Sequence, residues 1–204
     1  MCGLLPVSLA GLLFPELTCM KNLASLALGV LLCNSAFASE FDFSFNSDAF
    51  RAIYIHDFRN HDLQSDFGLL YNDDDGYVAS ISLYLSGFAS DGSSPLQAGI
   101  GGRTGIVDGD HSGQTGAPLA VGGYLKYTFP NLNRVSIRGD AWFAPEILSL
   151  GDLEKYQDYS LRLGYNVMKD ADIYIGLRYV KGDFDNGTKV DFDDGANIGF
   201  SIRF

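Results

Sequence analysis

The chain has 204 residues and a formal net charge of −11, from 14 Lys+Arg against 25 Asp+Glu. That acid excess argues against a nucleic-acid partner, which needs a basic stripe. A content of 47% hydrophobic and 13% aromatic residues excludes a disordered chain.

Lys21 is the only base in the first 38 residues, and an apolar run from Leu23 to Leu32 follows it. Ala36-Phe37-Ala38 then presents small residues where a signal peptidase reads, so residues 1–38 are predicted to be an upstream leader plus a secretory signal peptide, with Met20 the better start. Cleavage after Ala38 removes one base, Lys21, and one acid, Glu16, leaving the net charge at −11. It also removes all three cysteines, so the exported domain, 39–204, has no disulfide framework. Leu32 stands where a lipoprotein signal needs a small residue before Cys33.

From residue 39 onward no window is apolar enough for a membrane-spanning helix; the dominant period is two. A short Phe41-Phe43-Phe45 alternation opens the domain. Strands are predicted over roughly 49–56, 64–71, 77–87, 96–106, 117–129, 134–144, 156–167, 171–181 and 195–204. In the later ones the two faces separate cleanly. Tyr159, Leu161, Leu163, Tyr165 and Val167 alternate with Ser160, Arg162, Gly164 and Asn166, and Ile198, Phe200, Ile202 and Phe204 with Asn197, Gly199, Ser201 and Arg203. Strands this long match a tilted bilayer crossing, and a polar face of Gly, Ser, Asn and Arg suits a lumen more than a soluble exterior. The predicted fold is therefore all-β: a small antiparallel transmembrane β-barrel of 8–10 strands, ten favoured because bacterial barrels are even-numbered. Tyr127, Phe129, Phe143, Tyr159, Tyr179 and Phe204 are candidate membrane-interface aromatics.

With Phe204 at the periplasmic end, connections alternate between short inner turns (Pro130 to Asn133; Met168 to Asp170) and long outer loops (Val107 to Gly116; Ala144 to Lys155; Asp183 to Gly195). The outer segments collect acids: Asp48, Asp73, Asp74, Asp75, Asp108, Asp110, Glu146, Asp152, Glu154, Asp183, Asp185, Asp191, Asp193 and Asp194. Arg103, Lys126, Arg138, Arg162, Arg178 and Arg203 fall on the lumen face, with Asp140 the clearest lumen acid and Asp158 a candidate near the rim. Confined cations repel unless paired, hydrated or bound to an anion. A plug in which Asp140 bridges Arg138, Arg162 and Arg178 is favoured over a narrow anion-preferring pore, because barrels this small are filled by side chains; small anions remain candidate lumen partners.

No catalytic motif, cofactor site or metal site is predicted. Asp110-His111-Ser112 holds triad residue types, but adjacent residues cannot converge as a triad does. Gly99 to Gly105 is glycine-rich within a strand, with no following helix to cradle a phosphate. Asp183-Phe184-Asp185-Asn186-Gly187 places its glycine one residue early for a calcium loop and lacks the bidentate glutamate. A lipid A- or phospholipid-modifying enzyme and a soluble periplasmic barrel are the alternative readings.

Three segments, Phe143 to Tyr156, Tyr174 to Asp185 and Asp193 to Phe204, together with Leu96 to Arg103 and Ala120 to Tyr124, resemble the YfaZ family of Gram-negative outer membrane proteins. The resemblance spans essentially the whole exported domain. It implies a small exported β-barrel at the outer membrane, in contact with its lipids and lipopolysaccharide, and it supplies no catalytic residues. The terminal strand ending on Phe204 resembles the segment that such proteins show to the barrel assembly machinery.

Overall fold

The computed structural model describes residues 39–58, 62–89, 95–109 and 113–204. Residues 1–38, read above as leader and signal peptide, and the residues His61, Asp110, His111 and Ser112 lie outside the described residues. Among the described residues eleven strands form one antiparallel sheet: β1 (Ser39–Phe45), β2 (Ala49–Phe58), β3 (Leu63–Asn72), β4 (Gly76–Phe88), β5 (Leu96–Gly109), β6 (Gln114–Thr128), β7 (Val135–Ala144), β8 (Ser149–Gly151), β9 (Leu153–Met168), β10 (Ala171–Phe184) and β11 (Lys189–Arg203). Ten of them close a barrel in chain order. The ring runs from β1 through β7, continues with β9, β10 and β11, and returns to β1 through six paired positions from Glu40–Arg203 to Phe45–Ile198. The three-residue β8 pairs only with the outer part of β6, at Gly116 to Pro118.

Alternation explains the closure. Along the membrane stretch the outward face is apolar, as Ile100 at 74% and Ile198 at 64% exposure show, and on most strands the inward face is polar. On β9 the apolar exterior runs from Tyr159 to Val167. Nine residues at about 3.3 Å each, tilted by about 40°, give roughly 23 Å, close to the ~25 Å band of a membrane barrel. An outward apolar belt of this height is what a membrane barrel presents to lipid.

Of the six candidate aromatics, Tyr127 and Phe129 lie at the end of the barrel shared with Phe204, and form an edge-to-face pair 5.2 Å apart. Phe143, Tyr159 and Tyr179 lie at the far margin of the apolar stretch, and Tyr159 stacks on Tyr179 at 6.4 Å. A second aromatic group runs along the barrel rather than around it. Phe41, Phe43, Phe45, Phe50 and Phe200 form a chain of ring pairs on the outside of β1, β2 and β11, with Phe204 stacked on Phe41 at 5.6 Å.

The loop expectation needs correction. The segments expected as long outer loops are largely ladder: β10 reaches Phe184 and β11 starts at Lys189, while β5 reaches Gly109 and β6 starts at Gln114. Between Ala144 and Leu153 the chain forms a single 3-10 turn (Glu146–Leu148) and then β8. The physical reason is a reversal of phase. Below Tyr179, β10 sends Ile173, Ile175 and Leu177 outward; above it, Val180 and Phe184 are buried inside while Lys181 and Asp183 face away. Outside the bilayer the exterior must be polar and the interior apolar, so the membrane pattern ends where the strand does not.

Candidate functional site

The interior of the barrel is built in two layers. In the middle lies a network of charges supplied by inward-facing residues of eight strands. Asp158 (β9) is its hub: one carboxylate oxygen accepts from Arg51 of β2 at 3.1 Å and from Arg103 of β5 at 2.5 Å. Arg103 also donates to Ser82 at 2.8 Å and lies 3.6 Å from Asp66, which Ser82 itself reaches at 2.7 Å. Arg162 of β9 crosses to Asp42 of β1 at 2.7 Å, and Tyr174 donates to the other oxygen of Asp42 at 2.6 Å. Arg178 pairs with Asp193 and donates to Ser44 at 2.7 Å. Arg138 pairs with Asp140 at 2.8 Å, and Ser160 joins that carboxylate at 3.2 Å.

Three guanidiniums also lie over rings: Arg103 on Trp142 at 4.3 Å, Arg138 on Tyr124 at 4.1 Å and Arg162 on Tyr174 at 5.1 Å. Each guanidinium thus has a carboxylate, and three add an aromatic face. Two of these rings need glycine opposite them. A Cβ at Gly99 would stand 2.4 Å from the ring of Tyr124, and one at Gly199 would stand 2.3 Å from that of Tyr174. Gly99 and Gly199 are the cross-strand partners of those tyrosines, so the ring lies flat across the bare backbone.

Arg203 and Lys126 sit nearer the Phe204 end. Arg203 pairs with Asp172 at 2.9 Å and approaches Glu40 at 3.8 Å; Asn166 donates to Asp172 at 2.6 Å. Lys126 follows Tyr124 on the same face of β6 and is half-buried.

The second layer closes the outer end, opposite Phe204. Val78, Val107, Leu153, Tyr156, Val180, Phe184, Val190 and Phe192 form a buried apolar cluster, with Phe192 and Val107 0% exposed. Phe192 is aimed inward by a β-bulge: Val180 pairs with Asp193 and Lys181 with Asp191, leaving Phe192 as the extra residue. Its carbonyl accepts from Asn72 of β3 at 3.0 Å, so the top of β11 is tied across the mouth to a strand that is not its neighbour. Asn46 ties Asp193 at 2.6 Å.

Several sequence expectations are corrected here. Asp193 is not an outer acid but a buried counter-ion, because β11 continues back past residue 195 and Asp193 keeps the inward parity of Asn197 and Ser201. Asp140 serves Arg138 and does not bridge to Arg178, which has Asp193; Arg162 has Asp42. Asp158 is deep in the network, its side chain 3% exposed, rather than at the rim. Arg51, Asp42 and Asp66 were not singled out by the sequence. Asp42 could have been, since it alternates with Phe41 and Phe43. Arg51 could not, because β2 is apolar on both faces: Ile55 is buried inside while Phe50 and Tyr54 pack outside. Of the histidines, His56 stacks on Tyr54 and meets Phe58 edge-on, away from the lumen carboxylates.

These features define the class: a ten-stranded transmembrane β-barrel with a charged, side-chain-filled interior. The chain belongs to the YfaZ precursor family, which matches residues 19–204. No curated protein matches the sequence. Among solved structures, the chain is similar to the outer membrane channel DcaP of Acinetobacter baumannii (15% identity, TM-score 0.44, covering 80% of this chain and 54% of that one). It is also similar to the KdgM porin (12%, 0.43, 82% and 99%) and the NanC porin (13%, 0.45, 83% and 100%). The chain therefore spans about half the length of DcaP and nearly all of the two porins.

Proposed function

We propose that this protein is a structural, porin-like barrel of a Gram-negative outer membrane whose resting lumen is a plug rather than an open channel, and that it carries no catalytic activity. The observation that supports this most is the apolar closure of the outer mouth by Phe184 and Phe192 above a charge network in which each guanidinium has a carboxylate. An ion crossing the barrel would have to pass an apolar constriction that water does not wet. It would then have to break buried ion pairs, each costly to leave half-made. Outer-membrane lipids surround the apolar belt, lipopolysaccharide meets the acidic outer rim, and the terminal strand ending in Phe204 is the segment offered to the assembly machinery.

Planar-bilayer recording tests the reading. The wild-type barrel is expected to give no discrete conductance steps, whereas the double substitution Phe184→Ser, Phe192→Ser is expected to give them. Steady conductance from the wild type would overturn the plug.

A further inference from the structure

Pro145 ends β7 and turns the chain out of the ladder, because it follows Ala144 directly and has no N–H to give. Its carbonyl accepts from Leu148 N–H at 2.9 Å and from the Ser149 hydroxyl at 3.1 Å, which closes the 3-10 turn Glu146–Leu148. β8 then takes the edge of β6 that β7 has left, with Leu150 opposite Ala117. The excursion leaves two large aliphatics in the open. Ile147 is 88% exposed, the most of any large apolar side chain among the described residues, and Leu150 is 69% exposed. Neither fits the pattern above the belt, where outward positions on β9 and β10 are polar: Lys155, Lys181 and Asp183.

The ladder fixes their height. Leu150 shares the outward face with Ala117, two residues beyond Leu119, the last large apolar residue of the belt on β6. Two residues along a strand tilted by about 40° rise about 5 Å. Ile147 lies in the chain between the aromatic margin at Phe143 and β8. The two aliphatics thus continue the belt by one step, on the side of β6 and β8 alone.

We propose that this turn is a foot in the membrane interface: Ile147 and Leu150 enter the boundary between headgroups and acyl chains in the leaflet at the end of the barrel opposite Phe204, and their partner is lipid. Continuity with the belt supports lipid as the occupant. Two side chains fall far short of the roughly 800 Å² per partner that a stable protein interface buries, whereas interfacial elements seat their apolar side chains about 5–10 Å into that boundary. Because the foot is one-sided, it holds the edge of the bilayer higher beside β6 and β8. The inference rests on the transmembrane reading of the barrel and is independent of whether the lumen conducts.

Residues 39–204 contain no cysteine, so a single introduced cysteine carries a nitroxide label unambiguously. Ile147→Cys and Leu150→Cys are compared with Leu161→Cys in the belt and Asp185→Cys on the exposed rim, each refolded into phospholipid vesicles. Collision with oxygen, which concentrates in lipid, against collision with a water-soluble nickel chelate reads depth. The Ile147 and Leu150 labels are expected to favour oxygen more than the Asp185 label and less than the Leu161 label. Values equal to those of the Asp185 label would overturn the foot and leave the membrane barrel standing. Dipolar broadening of the Ile147 label that grows with protein density in the vesicle would overturn lipid as the occupant, in favour of a second copy of the chain. A water-like Leu161 label would overturn the membrane barrel itself, and the foot with it.

Discussion

Asp158 holds two guanidiniums on one oxygen, from strands on different sides of the barrel. Replacing it with asparagine leaves Arg51 and Arg103 buried with their shared charge gone, and removing one partner of a buried pair costs about 3–5 kcal/mol. Asp158→Asn is therefore expected to lower the urea midpoint of the detergent-folded barrel clearly more than Asp140→Asn, whose carboxylate is 17% exposed and serves a single arginine. Gly199 acts by leaving room. Gly199→Ala pushes on the ring of Tyr174, whose hydroxyl holds Asp42, and overpacking of this kind costs about 1–3 kcal/mol; the same urea titration reads it. At this scale the sequence was only partly legible. Alternation assigns Arg103, Arg138, Arg162 and Arg178 to the inner face, but which carboxylate each one meets depends on contacts between strands far apart in the chain. Asp193 has the inward parity of Asn197 and Ser201, but it reads as a loop acid as long as the strand is taken to begin at residue 195.

Among the elements, the β1–β11 seam is the short ladder: six paired positions, against thirteen between β10 and β11. The aromatic chain on its outer face lies where the backbone pairing is least. Phe43 touches Phe41, Phe50 and Phe200. Aromatic pairs contribute about 0.5–1.5 kcal/mol each beyond area. Phe43→Ala is thus expected to lower the temperature at which the folded, fast-migrating form is lost on a gel more than Leu161→Ala, which removes an outward aliphatic from a well-paired strand. The strands themselves were legible. Most of the ten barrel strands, including the short one through Phe41, Phe43 and Phe45, can be read from period-two patterning; β2, with Ala52 to Ile55 in one apolar run, shows it least. The outer limits could not be read, because the phase of that patterning reverses on leaving the bilayer. Phe184, Val190 and Phe192 look like loop residues only when the apolar side is assumed to stay outward.

For the molecule as a whole, the net charge of −11 hides two different environments. Acids such as Asp73, Asp74, Asp185 and Asp191 lie on the exposed outer rim, while Asp42, Asp66, Asp158 and Asp193 are buried among arginines. The barrel is thus inside-out at the level of the bilayer and right-side-out above it, and the apolar cap belongs to the second regime. Removal of the cap in the Phe184, Phe192 double variant is expected to separate the two: the heat-modifiable folded form is retained on a gel while conductance steps appear in planar bilayers.

Closure of the barrel also brings its first and last residues together. Ser39 N–H donates to the Phe204 carbonyl at 3.1 Å, and Phe204 N–H returns a bond to Ser39 at 2.9 Å. A ring in which every neighbour is also next in the chain, apart from this one junction, does not depend topologically on where the chain is cut. Joining Phe204 to Ser39 through a short glycine linker and opening the tight turn at Lys169-Asp170 is expected to give a permuted protein that still refolds to a compact, heat-modifiable barrel. Failure of that permuted chain to fold would show that the order of strand addition, and not only the final ladder, is written into the sequence.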